Sequence, residues 1–209
     1  MQSAVSINEI EAIARRNAKH SRSILLLFSP YNRETTGVNF SFLNKAGDYH
    51  YHSGKLLDCY CIGYSLYEPK ANKKLGPAVE LKDNFGWPLS FFYIKSFHEV
   101  REFVQEKLQG RWEYSGGFDA ILFAADPDKD VIIDWSRAAI VSSRLHADIF
   151  DDEEHIIRTI INLNEEMNGE MLPEHLTPEL NRRRLIEAAK KLLGKLAGEA
   201  IGKAIKLLY

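Results

Sequence analysis

Gly194, Gly198 and Gly202 recur at every fourth position inside a segment that otherwise reads as one continuous helix. The apolar residues of that segment run from Leu185 and Ile186 through Leu192, Leu193, Leu196, Ile201 and Ile205 to Leu208, in steps of three or four. At about 100° per residue they fill roughly half the helix circumference, and Lys191, Lys195, Glu199 and Lys206 hold the opposite arc. The glycines line up along one edge of the apolar side. Each costs about 1 kcal/mol relative to alanine in a helix interior, so three in register require a compensating contact. Close approach of another helix backbone is the usual one.

Three occupants of that edge remain open on sequence grounds. The helix packs on its own domain, or it self-associates as a homo-oligomer or with a partner helix, or it engages an anionic membrane surface. In each case Gly194, Gly198 and Gly202 provide the close approach, while Leu192, Leu193, Leu196, Ile201 and Ile205 become buried. Lys191, Lys195, Lys203 and Lys206 stay in water or meet anionic headgroups. The tail has no Trp or Phe, which weakens an interfacial role, and its charges leave no uninterrupted span of about 20 apolar residues. A lone transmembrane helix is not expected; an assembled pore with its lysines facing water stays open.

Charge is divided unevenly along the 209 residues. Residues 179–209 carry eight Lys/Arg and three Asp/Glu, or +5, whereas residues 1–178 carry 19 and 26, or −7. An acidic body with a basic amphipathic tail implies that the tail has a task of its own or docks on the body. Arg182-Arg183-Arg184 and the later lysines have the composition of a nucleic-acid footprint. Their place at a helix start, and the absence of stacking aromatics before Tyr209, make nucleic acid an unfavoured partner. The first apolar run, Ile24 to Phe28, is too short for a secretory signal or a membrane span. Two cysteines, two residues apart, do not make a secreted disulfide framework, so a cytoplasmic location is expected.

The body reads as an α/β or α+β domain over 1–168, with a mixed sheet flanked by helices. A linker follows over 169–177, and the separate C-terminal helix spans 178–209, opened by Thr177-Pro178. Ser6-Ile7-Asn8-Glu9 is a capping box that starts the first helix, and Ser96-Phe97-His98-Glu99 has the pattern of a second, leading to about Leu108. Strands are expected at Ser23 to Phe28, Val38 to Phe42, Leu89 to Ile94, Phe118 to Ala125 and Val131 to Asp134. Residues 138–149 fit strand or helix, and Asp151 is the expected cap of a helix to about Met167. The strand–helix–strand–strand–helix order from Leu89 to Met167 loosely resembles the second half of a thioredoxin-like domain. With no Cys-x-x-Cys present, the resemblance carries no redox chemistry.

One constellation has metal-ligand chemistry. Gly54-Lys55 suits a two-residue turn, and a hairpin closed there sets His50 opposite Cys59, with His50, His52, Cys59 and Cys61 on one face. Imidazole and thiolate are the ligands that zinc prefers, so His50, His52 and Cys59 are the candidate ligands of an alternative function, a metal-binding domain or metal-dependent enzyme. The competing reading is two surface histidines beside two small packed cysteines. The same pair also suggests Cys59 as a nucleophile with His50 as its base, although a mid-strand position lowers no thiol pKa. Asp126, Asp128, Asp130 and Asp134 surround a strand connection where Asp-Pro-Asp is ordinary turn chemistry, with Mg²⁺ binding the rarer use. His98-Glu99 lacks a second histidine, since position 102 is Glu102, and no phosphate loop, dinucleotide fingerprint or serine elbow occurs. The sequence therefore favours a non-enzymatic interaction or effector protein, of the build found in some toxins and cell-death effectors, in which the domain regulates the helix.

Overall fold

A computed structural model describes residues 2–17, 23–31, 49, 57–65, 75–81, 91–126, 128–150 and 152–208; over 191–208 it describes the backbone and the side chain of Leu193. Eight strands and four helices are described. They run β1 (Gln2–Ala4), α1 (Ile7–Asn17), β2 (Ser23–Phe28), β3 (Asp58–Ile62), β4 (Tyr64–Ser65), β5 (Val79–Glu80) and β6 (Phe91–Phe92). Then follow α2 (Ile94–Leu108), β7 (Asp119–Ala125), β8 (Ile133–Ser142), α3 (Glu153–Glu166) and α4 (Pro173–Leu208).

The main sheet has the order β1-β3-β2-β7-β8. β3 lies parallel to both β1 and β2, whereas β7 is antiparallel to β2 and β8 antiparallel to β7. The fold is thus mixed α/β, as the sequence implies. All six residues of β2 are buried, with Ile24 to Phe28 an unbroken apolar run, the mark of a central strand covered on both faces. Register places Ile24, Leu26, Tyr60, Ile121 and Phe123 on one face. That face meets α1, where the Tyr60 hydroxyl lies 3.5 Å from the Ile10 carbonyl, and α2, whose Phe103 ring lies edge-on to Trp135 at 5.6 Å. Leu25, Leu27, Cys59 and Cys61 share the opposite face with Ser23, whose hydroxyl donates to the Met171 carbonyl just ahead of α4.

Local signals explain most of the element ends. Ser6 Oγ accepts the Glu9 N–H at 3.2 Å, and the Glu9 carboxylate accepts the Val5 N–H at 2.9 Å, so the first capping box forms with its return bond one residue upstream. The second does not form. Ser96 is buried inside α2, which begins at Ile94 after an extended Tyr93 that offers no side-chain cap. Tyr93 is set by the chain before it: its N–H donates to the Gly63 carbonyl at 2.7 Å, and its own carbonyl accepts the Phe97 N–H at 3.0 Å. Asp152, one residue beyond the expected cap, accepts the His155 N–H at 2.8 Å and opens α3.

One further expectation needs revision and one open segment is resolved. Of the strand expected over Leu89 to Ile94, Phe91–Phe92 is seen, pairing with β4 and β5 in a separate three-stranded sheet; Ile94 already begins α2, and Leu89 and Ser90 lie outside the described residues. The likeness to a thioredoxin-like order, which used that strand, therefore remains one of element order only. The ambiguous 138–149 segment divides, with β8 running to Ser142 and turns following. A register shift between Phe123 and Ala124 leaves Trp135, Ser136 and Arg137 as extra residues on β8, and Trp135 packs edge-on to Phe123 at 5.1 Å. The strand expected at Val38 to Phe42 lies outside the described residues.

α4 begins five residues before the expected start, with Pro173 in its first position and Pro178 inside it. Leu172 donates its N–H to His175 Nδ1 at 3.1 Å, Leu176 is buried, and Arg137 grips Glu174 at 2.6 and 3.1 Å. These contacts hold a full turn ahead of Pro178 against the sheet, where the Thr-Pro signal alone would start the helix.

Gly63 joins the two sheets. Its N–H donates to the Ala4 carbonyl at 2.8 Å, its φ is +83°, and a Cβ there would lie 2.8 Å from Phe97 Cβ and 2.9 Å from Phe92 Cε2. Gly63→Ala combines left-handed strain with overpacking, and is expected to lower the unfolding free energy by about 2–3 kcal/mol in denaturant titration.

Candidate functional site

The distal part of α4 is the chain's most distinctive surface. Met171, Leu176 and Leu180 are buried, and none of the residues from 181 to 190 is. Leu185 is 73 %, Ile186 40 % and Leu193 66 % exposed, so half of the strongly exposed large apolar side chains among the described residues lie on this one helix. The 28 residues after Leu180 extend about 42 Å at the helical rise. Gly194, Gly198 and Gly202 fall within that helical backbone, as do Leu192, Leu196, Ile201, Ile205, Lys191, Lys195, Lys203 and Lys206. The side chains of these last eight lie outside the description.

The arginine triplet at the root of this segment is already engaged. Glu179 binds Arg182 at 2.6 and 2.7 Å and Arg183 at 2.8 Å, so one carboxylate serves two guanidinium groups a turn away. These hydrogen bonds hold the Glu179 carboxyl below the ordinary range, with Arg182 the larger cause. Arg184 leaves the helix and reaches the turn that follows β8, with Nε 3.2 Å from Asp148 Oδ2 and a terminal nitrogen 2.8 Å from the Leu145 carbonyl.

The His50, His52 and Cys59 constellation is not assembled in the way the sequence suggested. β3 pairs in parallel with β2 over Asp58 to Cys61 and with β1 over Tyr60 to Ile62, and among the described residues it has no antiparallel hairpin partner. Tyr49 is helical and buried rather than the start of a strand, and His50 and His52 lie outside the described residues. Cys59 and Cys61 are both buried, outside any disulfide, in a strand whose five residues are all buried. Burial pushes the Cys59 thiol up to about 12 and the Cys61 thiol well above its usual value. Both remain protonated at neutral pH, whereas attack and metal ligation require the thiolate.

The acidic turn behaves as local chemistry. Asp126 accepts the Asp128 N–H at 3.3 Å and pairs with Lys129 at 3.0 Å, and Asp134 takes both the N–H and hydroxyl of Ser136. Hydrogen bonding from Lys129 and Ser136 holds the Asp126 and Asp134 carboxyls below their ordinary value. Among the described residues, no three His, Cys, Asp or Glu side chains converge as metal ligands.

Sequence reasoning missed a buried polar group beside the β8 turn. Asp119, fully buried at the head of β7, accepts from Trp112 Nε1 at 2.9 Å, from the Ser115 N–H at 3.0 Å and from Ser115 Oγ at 2.6 Å. It closes the turn over 112–118 onto the sheet. A cleft of about 420 Å³ lies between this turn and Ser142, Arg144 and Leu145. The Trp-x-x-Ser-x-x-x-Asp spacing from 112 to 119 was visible beforehand, but nothing local shows that the carboxylate points inward.

Comparison with known proteins finds no matching family model, no matching curated protein and no matching solved structure. No helix among the described residues is long and apolar enough to cross a membrane.

The thiols provide a direct test of this geometry. Native protein at pH 8 is expected to leave Cys59 and Cys61 unmodified by an aromatic disulfide reagent over minutes, and to release two equivalents of chromophore once denatured. Rapid native labelling of either cysteine would show that β3 is accessible.

Proposed function

We propose that the chain is a non-enzymatic interaction or effector protein whose C-terminal helix is the working element, with the α/β domain as its regulator. The helix self-associates through its glycine edge or engages an anionic membrane surface. One observation carries this reading: α4 leaves the core after Leu180 with Leu185, Ile186 and Leu193 exposed. Fully burying a Leu or Ile side chain is worth about 1.5–3 kcal/mol, so a partner that covers this arc gains appreciable free energy. The same contact would offset about 3 kcal/mol of helix propensity given up at Gly194, Gly198 and Gly202.

Charge favours the same surface. Arg182, Arg183 and Arg184 are committed to Glu179 and Asp148, and Lys190 to Glu187, which weakens a nucleic-acid role for the triplet. Lys191, Lys195, Lys203 and Lys206 then supply the cationic arc for anionic headgroups. In this reading the protein resides in the cytoplasm and meets a membrane peripherally on activation. The resemblance to small toxins and cell-death effectors is one of build.

The test uses the full chain and a truncation after Glu187, which keeps the buried Leu176 and Leu180 and the Arg184 contacts. Large assemblies by sizing, or dye release from liposomes containing anionic lipid, are expected from the full chain alone. Gly198→Leu is expected to abolish assembly while circular dichroism shows the domain still folded. Monomeric full chain without leakage sinks the reading.

A further inference from the structure

We propose that the turn over 143–149 is an acid-sensitive latch on α4, in which His146 is the pin and Arg184 the bolt. The inference rests on reading α4 as the working element and assigns that element its control. The latch is built on the end of β8. Leu145 donates its N–H to Ser142 Oγ at 3.0 Å, His146 its N–H to the Ser142 carbonyl at 3.0 Å, and Phe150 its N–H to the His146 carbonyl at 3.0 Å. This wound turn presents the Leu145 carbonyl and the Asp148 carboxylate side by side, and Arg184 bridges them four residues beyond Leu180, the last buried side chain described on α4.

His146 is the interior support of the turn. It is 8 % exposed, and its Nδ1 lies 3.2 Å from the Ser142 nitrogen, whose N–H donates to it. That bond uses the lone pair of Nδ1 in the tautomer with its ring proton on Nε2. The groups around the ring come from every neighbouring element. The turn itself supplies Asp148 and the Ser142 carbonyl, 3.3 Å from Nδ1; β7 supplies Asp119; α4 supplies Arg184. Phe150 lies 6.4 Å from the imidazole and carries His155 of α3 on its other contact at 5.2 Å. Burial, then the Arg184 guanidinium, hold the imidazole below its ordinary pKa. The Ser142 carbonyl, Asp148 and Asp119 favour the cation but are outweighed.

Protonation would take the lone pair used by Ser142 and set a second cation near Arg184 in a largely desolvated site. The sign follows directly. A histidine held neutral in the folded turn contributes stability that is complete above its ordinary pKa of about 6.5 and is lost as pH falls toward the depressed folded value. The turn then loosens, Arg184 loses the paired acceptors of Leu145 and Asp148, and α4 is freed from about Leu180 onward.

Hydrogen exchange on the full chain without lipid reads the latch. After correction for the intrinsic pH dependence, protection over 143–149 and 181–187 is expected to fall several-fold, and by no more than about tenfold for one histidine, between pH 7.5 and 5.5. His146→Asn places an amide oxygen where Nδ1 accepts, without a titrating group, and is expected to abolish the pH response. Arg184→Met is expected to give at pH 7.5 the fast exchange over 181–187 that the unaltered chain shows at pH 5.5. Equal protection at both pH values, a persisting response in His146→Asn, or wild-type protection in Arg184→Met overturns the latch. If His146→Asn does not fold, Arg184→Met decides. Liposome leakage separates the two ideas: exchange that responds without leakage at either pH supports the latch and removes the membrane role, whereas leakage with unresponsive exchange removes the latch.

Discussion

β3 is enclosed on four sides. β1 and β2 take its two edges, α1 covers the face of Tyr60, and the face of Cys59 and Cys61 shares its side of the sheet with the Ser23 contact ahead of α4. A strand with parallel neighbours on both sides and buried residues throughout has no solvated face. Much of the architecture follows. The chain leaves β3 through Gly63, whose left-handed backbone turns it directly into the small sheet, and the Gly63 carbonyl then sets Tyr93 and the start of α2. The aromatic cluster beneath, with Phe28 4.8 Å from Trp112 and Phe92 5.6 Å from Phe97, fills the space between that turn and the main sheet.

The other side of the sheet anchors the start of the C-terminal helix. Met171, Leu176 and Leu180 close the core, Arg137 and Glu174 pin the first turn to β8, and Arg184 ties the helix to the turn beyond that strand. An uninterrupted α-helix transmits orientation along its length. The helix is thus anchored to the packing around β8 over its first three turns, and its backbone continues helical to Leu208. The bulge at Trp135, the buried Asp119 and the His146 turn all sit near this root, where a small rearrangement has the longest lever.

Where a residue's role depends on its immediate neighbours in the chain, the sequence was legible. Ser6 and Glu9 identify a helix start because both bonds are local, and Asp126 to Asp134 identify a turn for the same reason. The apolar run of β2 and the helical step of the tail are likewise periodic signals. Legibility failed where a distant partner decides. Ser96 has the pattern of a cap but lies in the core, because Gly63, thirty residues earlier, fixes Tyr93 as the helix start. The spacing around Gly54-Lys55 suggests a hairpin, yet β3 finds both its partners upstream of it in β1 and β2.

The sequence by itself determined the composition of the tail: an amphipathic helix with glycines every fourth residue, carrying the positive charge of an otherwise acidic chain. It also determined the α/β class, since helix periods and apolar runs alternate along the chain. Only the tertiary structure decided that the tail is continuous with a buried first segment from Pro173, and that Leu185, Ile186 and Leu193 are exposed on it. Only the tertiary structure buried Cys59 in a central strand and brought His146 and Arg184, 38 positions apart, to the same turn. Periodicity is a property of neighbouring residues and survives in one dimension. Burial, strand partnership and the pairing of distant charges depend on which surfaces meet once the chain has closed on itself.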